Sequence, residues 1–431
     1  MPKIKDKTIA NVELLAPAGS LEKMKYAIHY GADAVYAGVP DFSLRARIND
    51  FTFKTLKNGI EYAHKRGVKF YITLNIYAHN QHFEKLEKHL KKLQRIDIDG
   101  IILSDPGILA MVKEYLPEVE IHLSTQANAT NWRAVKFWAQ QGIKRIILAR
   151  EVSLKEIKEI HQKVPDVELE YFVHGAMCMS YSGRCILSKW MSGRSANLGD
   201  CSQPCRWAYN KIEDKKIKLP NKKMTVEDHQ GEFEIDLEED DQGTYFFNSK
   251  DLNLLEYLKD LIDAGVRSFK IEGRNKSVYY LATVIRAYRK VLDNLEDKKI
   301  LQIELDNLNN LVHRGYTTGF LLGKEPAHNF KNSHNGSNYE FVGEVLLVSE
   351  KNKQYSLVKV RVHNAVYKND IVDIVGRDGN FSVKILEILT EKSEKANSAH
   401  GGHKEMYYIK INGNNIKEKD LLRKRINREC N

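Results

Sequence analysis

At 431 residues the chain is too long for one average domain, which leaves two or three domains, or one large barrel with an accessory domain. Hydrophobic residues make up 42% of the chain and charged residues 29%, a balance that excludes a disordered protein. The net charge of +10 favours a polyanion such as RNA, or an acidic small molecule, as partner, although lysine-rich surfaces often serve only solubility.

The start of the chain carries basic residues without an apolar stretch before a cleavage site. No run of about 18 apolar residues follows, so we expect a cytoplasmic protein that makes no contact with a membrane. Cysteines are kept reduced in the cytoplasm. A tight group of four cysteines therefore predicts a metal or cluster site rather than disulfides.

Short β-branched apolar runs alternate with segments of helical period through the first 275 residues. This alternation predicts parallel βα units, and eight such runs favour an α/β fold with a closed (β/α)8 TIM-like barrel over an open doubly wound sheet. The predicted strands are residues 12–19, 34–38, 69–75, 100–107, 120–128, 145–151, 169–175 and 268–274. Helices are predicted at 20–30, 54–66, 82–95, 129–141, 153–163 and 251–264.

The seventh and eighth predicted strands are separated by a long interval, residues 176–267. The interval holds four of the five cysteines and an acidic stretch, 227–241, in which nine of fifteen residues are acidic. Loops that follow barrel strands lie at the C-terminal mouth, where the active sites of such barrels occur. We therefore expect a cysteine loop and β excursion at 176–250 that faces the catalytic end. The acidic stretch is an unfavourable surface for RNA unless it faces away.

The pattern changes after the barrel domain, residues 1–325. A polar segment at 326–338 predicts a linker. From residue 339 to 431 short alternating strands predict a second domain, a small all-β barrel.

Four cysteines, Cys178, Cys185, Cys201 and Cys205, form the pattern C-x6-C-x15-C-x3-C. Structural zinc sites usually contain C-x2-C pairs, because tight turns direct two thiolates at one small ion, and no such pair is present. An iron–sulfur cluster is wider and accepts ligands from more dispersed loop positions. The spacing therefore favours iron and sulfur, with zinc as the weaker alternative and a redox or incidental thiol group as a third.

Polar residues cluster where the predicted strands end, and in a barrel these positions converge on one cavity. We predict His174, Glu272 and Arg45 as catalytic residues. The predicted substrate-binding residues are Arg47, Asn75, Gln126, Arg150 and Arg274. Arg45 and Arg47 have the fork geometry that grips a carboxylate. The alternative for each of these residues is that it caps a helix or closes an ion pair.

Ten motifs together resemble the peptidase U32 family, also called collagenase-like proteases: ELLAPAG, GADAVYAG, FSLRAR, LSDPG, STQAN, VHGAMCMSYSGRCILS, GDCSQPCRW, NSKDL, KIEGR and RGYTTGF. The resemblance runs from about residue 12 to 325 and continues into the second domain. Better-understood members are oxygen-independent hydroxylases that carry a 4Fe-4S cluster on four cysteines. The resemblance thus implies that Cys178, Cys185, Cys201 and Cys205 are the cluster ligands.

Those members act on tRNA wobble uridine, on a ribosomal RNA cytidine or on ubiquinone precursors, and the RNA-acting ones depend on prephenate. In length and layout the chain is most similar to members that form 5-hydroxyuridine at position 34 of tRNA. The resemblance therefore implies tRNA and prephenate as partners, and a homo-oligomer or a paired family member. Two alternatives stay open: a peptidase, although no nucleophile–base or metalloprotease motif is visible, and a non-catalytic RNA-binding protein with a structural metal.

Overall fold

The barrel of the protein is built from eight parallel strands. The computed structural model describes residues 12–40, 42–43, 50–178, 180–182, 184–198, 200–207, 249–324, 326, 335–402 and 406–426, with four short strands between 224 and 244. The first seven barrel strands are β1 (Glu13–Pro17), β2 (Ala34–Gly38), β3 (Lys69–Leu74), β4 (Gly100–Leu103), β5 (Glu120–Leu123), β6 (Arg145–Ile147) and β7 (Glu168–Ala176).

Four short strands follow β7 in the chain. They form two antiparallel pairs, β8 (Met224–Glu227) with β9 (Glu234–Leu237), and β10 (Glu239–Asp240) with β11 (Gly243–Thr244). The chain then returns through β12 (Asp251–Asn253) to the eighth barrel strand, β13 (Val266–Ile271), which is followed by the short strand β14 (Tyr316–Thr317).

The sheet closes on itself because β13 pairs in parallel with both β7 and β1. This closure confirms the predicted (β/α)8 barrel. All five residues of β2 are buried, as expected for a strand covered by helices outside and by packed side chains inside.

Helices connect the strands. Several begin at a side-chain cap, including Ser20, Asn131 and Ser277, each of which accepts a hydrogen bond from the first helical turn. The helices are α1 (Leu21–His29), α2 (Phe53–His64), α3 (Asn80–Leu93), α4 (Pro106–Tyr115), α5 (Trp132–Gln140), α6 (Leu154–Lys163), α7 (Leu187–Ser192), α8 (Leu258–Asp263), α9 (Val278–Leu292) and α10 (Lys298–Asn309). Among the described residues, no helix has the length and apolar character needed to cross a bilayer.

The predicted helix at 251–264 is wrong in its first half. Residues Asp251–Asn253 form β12, which pairs antiparallel with the end of β7 and in parallel with β14. The Asp251 carboxylate accepts hydrogen bonds from the backbone N–H and the guanidinium of Arg314, and both residues are buried. A tertiary ion pair and a strand edge thus override the helical spacing, and α8 begins only at Leu258.

The C-terminal region is a second barrel with its own apolar core. Its main sheet has the order β18-β23-β15-β16-β22-β19-β20 and closes through the pairing of β18 with β19. The strands are β15 (Tyr339–Lys351), β16 (Tyr355–Val362), β17 (Val366–Tyr367), β18 (Ile371–Val375), β19 (Asn380–Thr390), β20 (Lys395–Ala396), β21 (Ser398–Ala399), β22 (Tyr407–Asn412) and β23 (Leu421–Arg425). The predicted small all-β barrel is confirmed.

The second barrel docks on the flank formed by α1 and α9. Tyr30 donates its hydroxyl proton towards the carbonyl oxygens of Val375 and Lys419, at 2.7 and 3.0 Å. Tyr26 donates to Glu344 at 2.8 Å. Because these contacts lie on the side of the parallel barrel, the second barrel leaves the mouth free, and none of its described residues lines the cavity there.

Candidate active site

A cavity of about 160 Å³ lies at the carboxyl ends of the barrel strands, the position at which such barrels carry their active sites. Its wall combines residues of the strand ends with residues of the segment after β7. The polar and aromatic members from the strand ends are Tyr36, Thr73, Asn75, Ser124, Gln126, Arg150, Phe172, Lys270, Glu272 and Arg274.

All four predicted ligand cysteines, Cys178, Cys185, Cys201 and Cys205, line this one cavity. None is in a disulfide; Cys178 is exposed and the other three are half-buried. Within the described ranges, no three His, Cys, Asp or Glu side chains are close enough to hold a metal ion. The fold nevertheless brings four thiols that form no disulfide to the wall of one cavity.

Residues 178–207, here called the cysteine segment, cross the mouth of the barrel. On one side, Ser182 donates from its backbone N–H and its hydroxyl to Glu151, which follows β6, at 2.8 and 2.9 Å. On the other side, the N–H of Tyr77, which follows β3, donates to the carbonyl of Asn197 at 3.2 Å. Because β3 and β6 lie nearly opposite each other in the eight-stranded barrel, the cysteine segment spans the mouth and covers the cavity.

Serine contacts join the two halves of the cysteine segment. Ser188 and Ser192 lie one turn apart on α7, and their hydroxyls are 3.0 and 2.7 Å from the hydroxyl of Ser202. The N–H of Ser202 also donates to the Ser188 oxygen at 2.9 Å. These bonds hold the loop that bears Cys201 and Cys205 against the helix that follows Cys185.

Arg150 and Glu272, predicted as a binding and a catalytic residue, form an ion pair in the cavity wall. The guanidinium of Arg150 also lies over the Phe172 ring, 4.1 Å from its centroid. Arg274 donates to the hydroxyl of Ser43 at 2.6 Å. The structure thus brings these three predicted charged residues to the cavity and fixes their orientation.

The two predicted amides also reach the cavity. Asn75 donates to the hydroxyl of Ser124 at 3.2 Å. The side-chain oxygen of Gln126 is buried and accepts no hydrogen bond from any described residue. A buried amide oxygen without a donor costs free energy, so this atom is suited to receive a donor from a bound molecule.

Sequence reasoning missed Lys270, whose ammonium group lies in the cavity wall. It donates to Glu170 at 2.7 Å and lies 4.4 Å from the centroid of the Tyr36 ring. Burial lowers the pKa of Lys270, and the Glu170 carboxylate opposes this effect. Strand alternation was the available signal, because Ser268, Lys270 and Glu272 share the inward face of SFKIEGR.

A polar layer closes the barrel beneath the cavity. Arg145, which is buried, forms ion pairs with Glu13 at 2.5 Å, Glu168 at 2.8 Å and Glu170 at 3.3 Å. The Ser268 hydroxyl donates to Glu13 at 2.9 Å. This polar layer fills the barrel interior beneath the cavity, so the described residues block access to the cavity from below.

His174 does not line the cavity, although the sequence predicts that the polar residues at the strand ends converge there. The pairing of β7 with β13 shifts register between Lys270 and Ile271, which turns the His174 ring towards α9. The ring packs against Tyr280, Tyr288 and Tyr316 with centroid distances of 5.4 to 5.9 Å. Burial lowers the pKa of His174 to about 3, so the imidazole is neutral.

The predicted residues Arg45 and Arg47 lie outside the described residues. Their assigned roles stay predictions.

Comparison with models of protein families identifies the family to which both regions of the chain are similar. Residues 19–331 match the model described as peptidase family U32, and residues 337–423 match the model of the U32 C-terminal domain. The chain belongs to peptidase family U32. The resemblance seen in its motifs is thereby confirmed, and the two matched regions correspond to the parallel barrel and the antiparallel barrel of this U32 member.

Relatives of this U32 member carry different names. The tRNA hydroxylation protein P of Haemophilus influenzae is 42% identical over 91% of this chain and 92% of its own length. The 23S rRNA 5-hydroxycytidine C2501 synthase of Escherichia coli is 37% identical over 67% of this chain and 40% of its own length. A protein of Porphyromonas gingivalis named collagenase is 32% identical over 73% and 75%.

Proposed function

We propose that this U32 protein is an RNA-modifying enzyme that hydroxylates tRNA, forming 5-hydroxyuridine at position 34. The observation that carries the proposal is the 42% identity with a tRNA hydroxylation protein across 91% of the chain. A second relative named for hydroxylation of a ribosomal cytidine supports a pyrimidine of RNA as the target. The surplus of basic residues, +10 overall, is consistent with a polyanionic substrate.

We further propose that Cys178, Cys185, Cys201 and Cys205 hold a 4Fe-4S cluster. Thiolates are the ligands that such clusters take, and the four cysteine side chains line the wall of one cavity beside the predicted substrate residues. When bound, the cluster would supply the electron chemistry that a hydroxylation without dioxygen requires. Zinc remains the weaker alternative metal.

The charged wall of the cavity suits an acidic co-substrate, which we propose is prephenate. Arg150, Arg274 and Lys270 bring three positive groups to the wall, against the carboxylate of Glu272. An arginine held by an ion pair and an aromatic ring keeps its orientation, so it binds a carboxylate with little further ordering. Glu272 acts in this scheme by positioning Arg150.

The amide side chains of the cavity wall suit the uracil base. A base inside an RNA loop must leave its stack to enter a closed cavity, and enzymes read such a base through its hydrogen-bonding edge. The unpartnered oxygen of Gln126 matches the N3–H donor of uracil, and Asn75 offers a second amide nearby. Base binding would therefore satisfy a buried acceptor that the free protein leaves unmatched.

Two measurements test these proposals. Protein purified without air should contain about four iron and four sulfide per chain, and replacing any one of the four cysteines by serine should lower both contents. Cys430→Ser is the matched control, since this residue is far from the four in the sequence, and it should retain the metal. Zinc in the purified protein, or full iron in all four variants, would refute the cluster.

The function itself is tested in cells. A deletion strain should lack 5-hydroxyuridine derivatives at position 34, and the gene for the wild-type chain should restore them. Unchanged tRNA nucleosides in that strain would refute the proposed hydroxylation. Collagen cleavage that survives in the Cys178→Ser and Cys201→Ser variants would instead favour the peptidase alternative.

A further inference from the structure

The outer face of the cysteine segment exposes large apolar side chains. Trp190 is 79% exposed, Ile186 76% and Tyr181 61%, and Met191, Leu198 and Trp207 are exposed as well. Six of the fourteen exposed large hydrophobic residues in the described chain thus fall between positions 181 and 207. Exposed apolar residues scattered singly need no explanation, whereas such a concentration marks a surface that binds something.

The fold itself directs these side chains outward. On α7, Ser188 and Ser192 face inward to Ser202. Trp190 lies two residues from each, about 200° around the helix, and so on the opposite face. Trp207 is fixed by its indole N–H, which donates to the Ser202 carbonyl at 3.1 Å. The two rings therefore stand on elements that are tied together.

The charge of the same segment is positive. Arg184 and Lys189 are exposed among the aromatic side chains. The only acid between positions 178 and 207 is Asp200, and it is paired with Arg194 at 2.8 Å. Basic groups interleaved with exposed aromatic rings are the pattern found where proteins bind single-stranded nucleic acid.

A groove of about 400 Å³ lies beside these side chains. It is lined by Tyr77, Arg184, Cys185, Ile186 and Asn197. The side-chain oxygen of Asn197 is buried and accepts no hydrogen bond from any described residue. Cys185 lines both this groove and the cavity, so the two spaces adjoin across one residue.

We propose that this surface binds the unpaired nucleotides that flank the target base of an RNA loop. The surface, here called the aromatic face, comprises Tyr181, Arg184, Lys189, Trp190 and Trp207 together with the groove. Its rings stack on bases, its cations contact phosphates, and Asn197 accepts a hydrogen bond from a base in the groove. The inference rests on the proposed function, because it assumes an RNA substrate.

The charge decides between RNA and the other possible occupants. A second copy of the chain would place two positive faces against each other, which electrostatics disfavours. An apolar peptide would leave the charges of Arg184 and Lys189 without a counter-charge and the Asn197 side-chain oxygen without a donor. An unpaired RNA loop matches the aromatic, the basic and the amide groups at once, and it ends at the cavity that its neighbouring base must enter.

Binding of an anticodon stem-loop to the anaerobically purified holoenzyme, followed by fluorescence anisotropy, tests the proposal. Trp190→Ala should raise Kd about tenfold, because one stacked base is lost. Trp190→Phe keeps an aromatic ring and should restore most of the affinity, which separates stacking from misfolding. Lys189→Ala should also weaken binding and should lower the salt dependence of Kd.

A matched control pair lies on α5, where Lys136 and Phe137 are adjacent and exposed. Lys136→Ala and Phe137→Ala should leave Kd unchanged. A fully paired duplex should bind more weakly than the loop, since its bases are hidden from the rings.

The outcomes separate the two levels of inference. Equal loop affinity of Trp190→Ala and Phe137→Ala, in an enzyme that still forms 5-hydroxyuridine, overturns the aromatic face and leaves the proposed function intact. If Trp190→Ala changes the oligomeric mass of the protein but not its RNA affinity, the aromatic face is a self-association surface and the proposal is overturned. Loss of loop binding in Trp190→Ala, with unchanged tRNA nucleosides in the deletion strain, supports the face and refutes the hydroxylation.

Discussion

At the scale of single residues, two charged side chains of the cavity wall are coupled to each other. Glu272 and Arg150 form an ion pair, and Phe172 covers the guanidinium of Arg150. A change at either charge therefore alters the other. This coupling is what a sequence scan of strand ends cannot show, because the two residues are 122 positions apart in the chain.

We predict that Arg150→Ala and Glu272→Ala each lower kcat/KM for tRNA hydroxylation by about 10- to 100-fold, and that the double variant loses little more. Residues in one ion pair show coupling energies of about 0.5–3 kcal/mol. A double-mutant cycle on 5-hydroxyuridine formation measures the coupling. Strictly additive losses would show that the two side chains act separately.

His174 gives the protein a pH dependence of stability. Burial lowers its pKa to about 3, whereas an unfolded histidine titrates near pH 6.5. Above about pH 6.5 neither state binds the proton, and the stability contributed by this group is complete. As the pH falls from about 6.5 towards 3, only the unfolded state gains a proton, and this stability is lost.

We expect the free energy of unfolding to fall by about 2 kcal/mol from this group between about pH 6.5 and 5, at 1.36 kcal/mol per pH unit. Urea unfolding of the wild type and of His174→Gln measures it, and the variant should show a smaller pH slope. His400→Gln, at an exposed position, is the control and should keep the wild-type slope. Identical slopes in all three proteins would contradict the prediction.

How far sequence predicts a single residue depends on strand register. Asn75, Gln126, Arg150, Glu272 and Arg274 reach the cavity as predicted, because each follows a barrel strand. His174 does not, because a register shift that no sequence pattern signals turns it towards α9. The catalytic and binding roles of all these residues remain predictions.

At the scale of elements, one carboxylate anchors the start of the cysteine segment. Glu151 accepts both hydrogen bonds from Ser182, at the start of the roof over the cavity. The sequence indicated that the segment faces the mouth, because it follows a barrel strand. It did not indicate the anchors, which join residues from three different βα units.

We predict that Glu151→Ala frees the cysteine segment without unfolding the barrel. Losing two hydrogen bonds to a charged acceptor costs about 1.5–3 kcal/mol each, so amide hydrogen exchange in residues 178–207 should accelerate at least tenfold. Exchange followed by mass spectrometry locates the change. Glu159→Ala on the exposed face of α6 is the control. If this variant accelerates exchange in residues 178–207 by the same factor, Glu151 is not the anchor of the segment.

At the scale of the whole molecule, buried and exposed contacts both join the two barrels. Arg286 is buried, donates to the Gly376 carbonyl at 3.2 Å and pairs with Glu304 at 3.2 Å. Arg361 pairs with Glu22 at the half-exposed rim of the same interface. The two arginines thus offer a comparison within one interface.

We predict that Arg286→Ala lowers the free energy of unfolding by about 3–5 kcal/mol, because it removes the arginine of a buried ion pair and leaves the charge of Glu304 poorly compensated. Arg361→Ala should cost less than about 1 kcal/mol, since water screens an exposed pair. Calorimetry of both variants measures the difference. Equal losses would show that the docking does not depend on Arg286.

Counting the predicted strands gives the correct architecture of both domains. Eight apolar runs joined by helices can form only a few topologies, and the strands of the second domain show a different, alternating pattern. The docking of the two barrels could not be predicted, since it rests on contacts such as Tyr30 with Val375, far apart in sequence.

The position of the thiols outside the packed interior has one further consequence. None of the four cysteines belongs to the apolar core, which the barrel completes from other residues. We therefore expect the proposed iron site to be loaded after the chain has folded. Exposure to air should then yield a folded but inactive protein, and adding iron and sulfide should restore its activity.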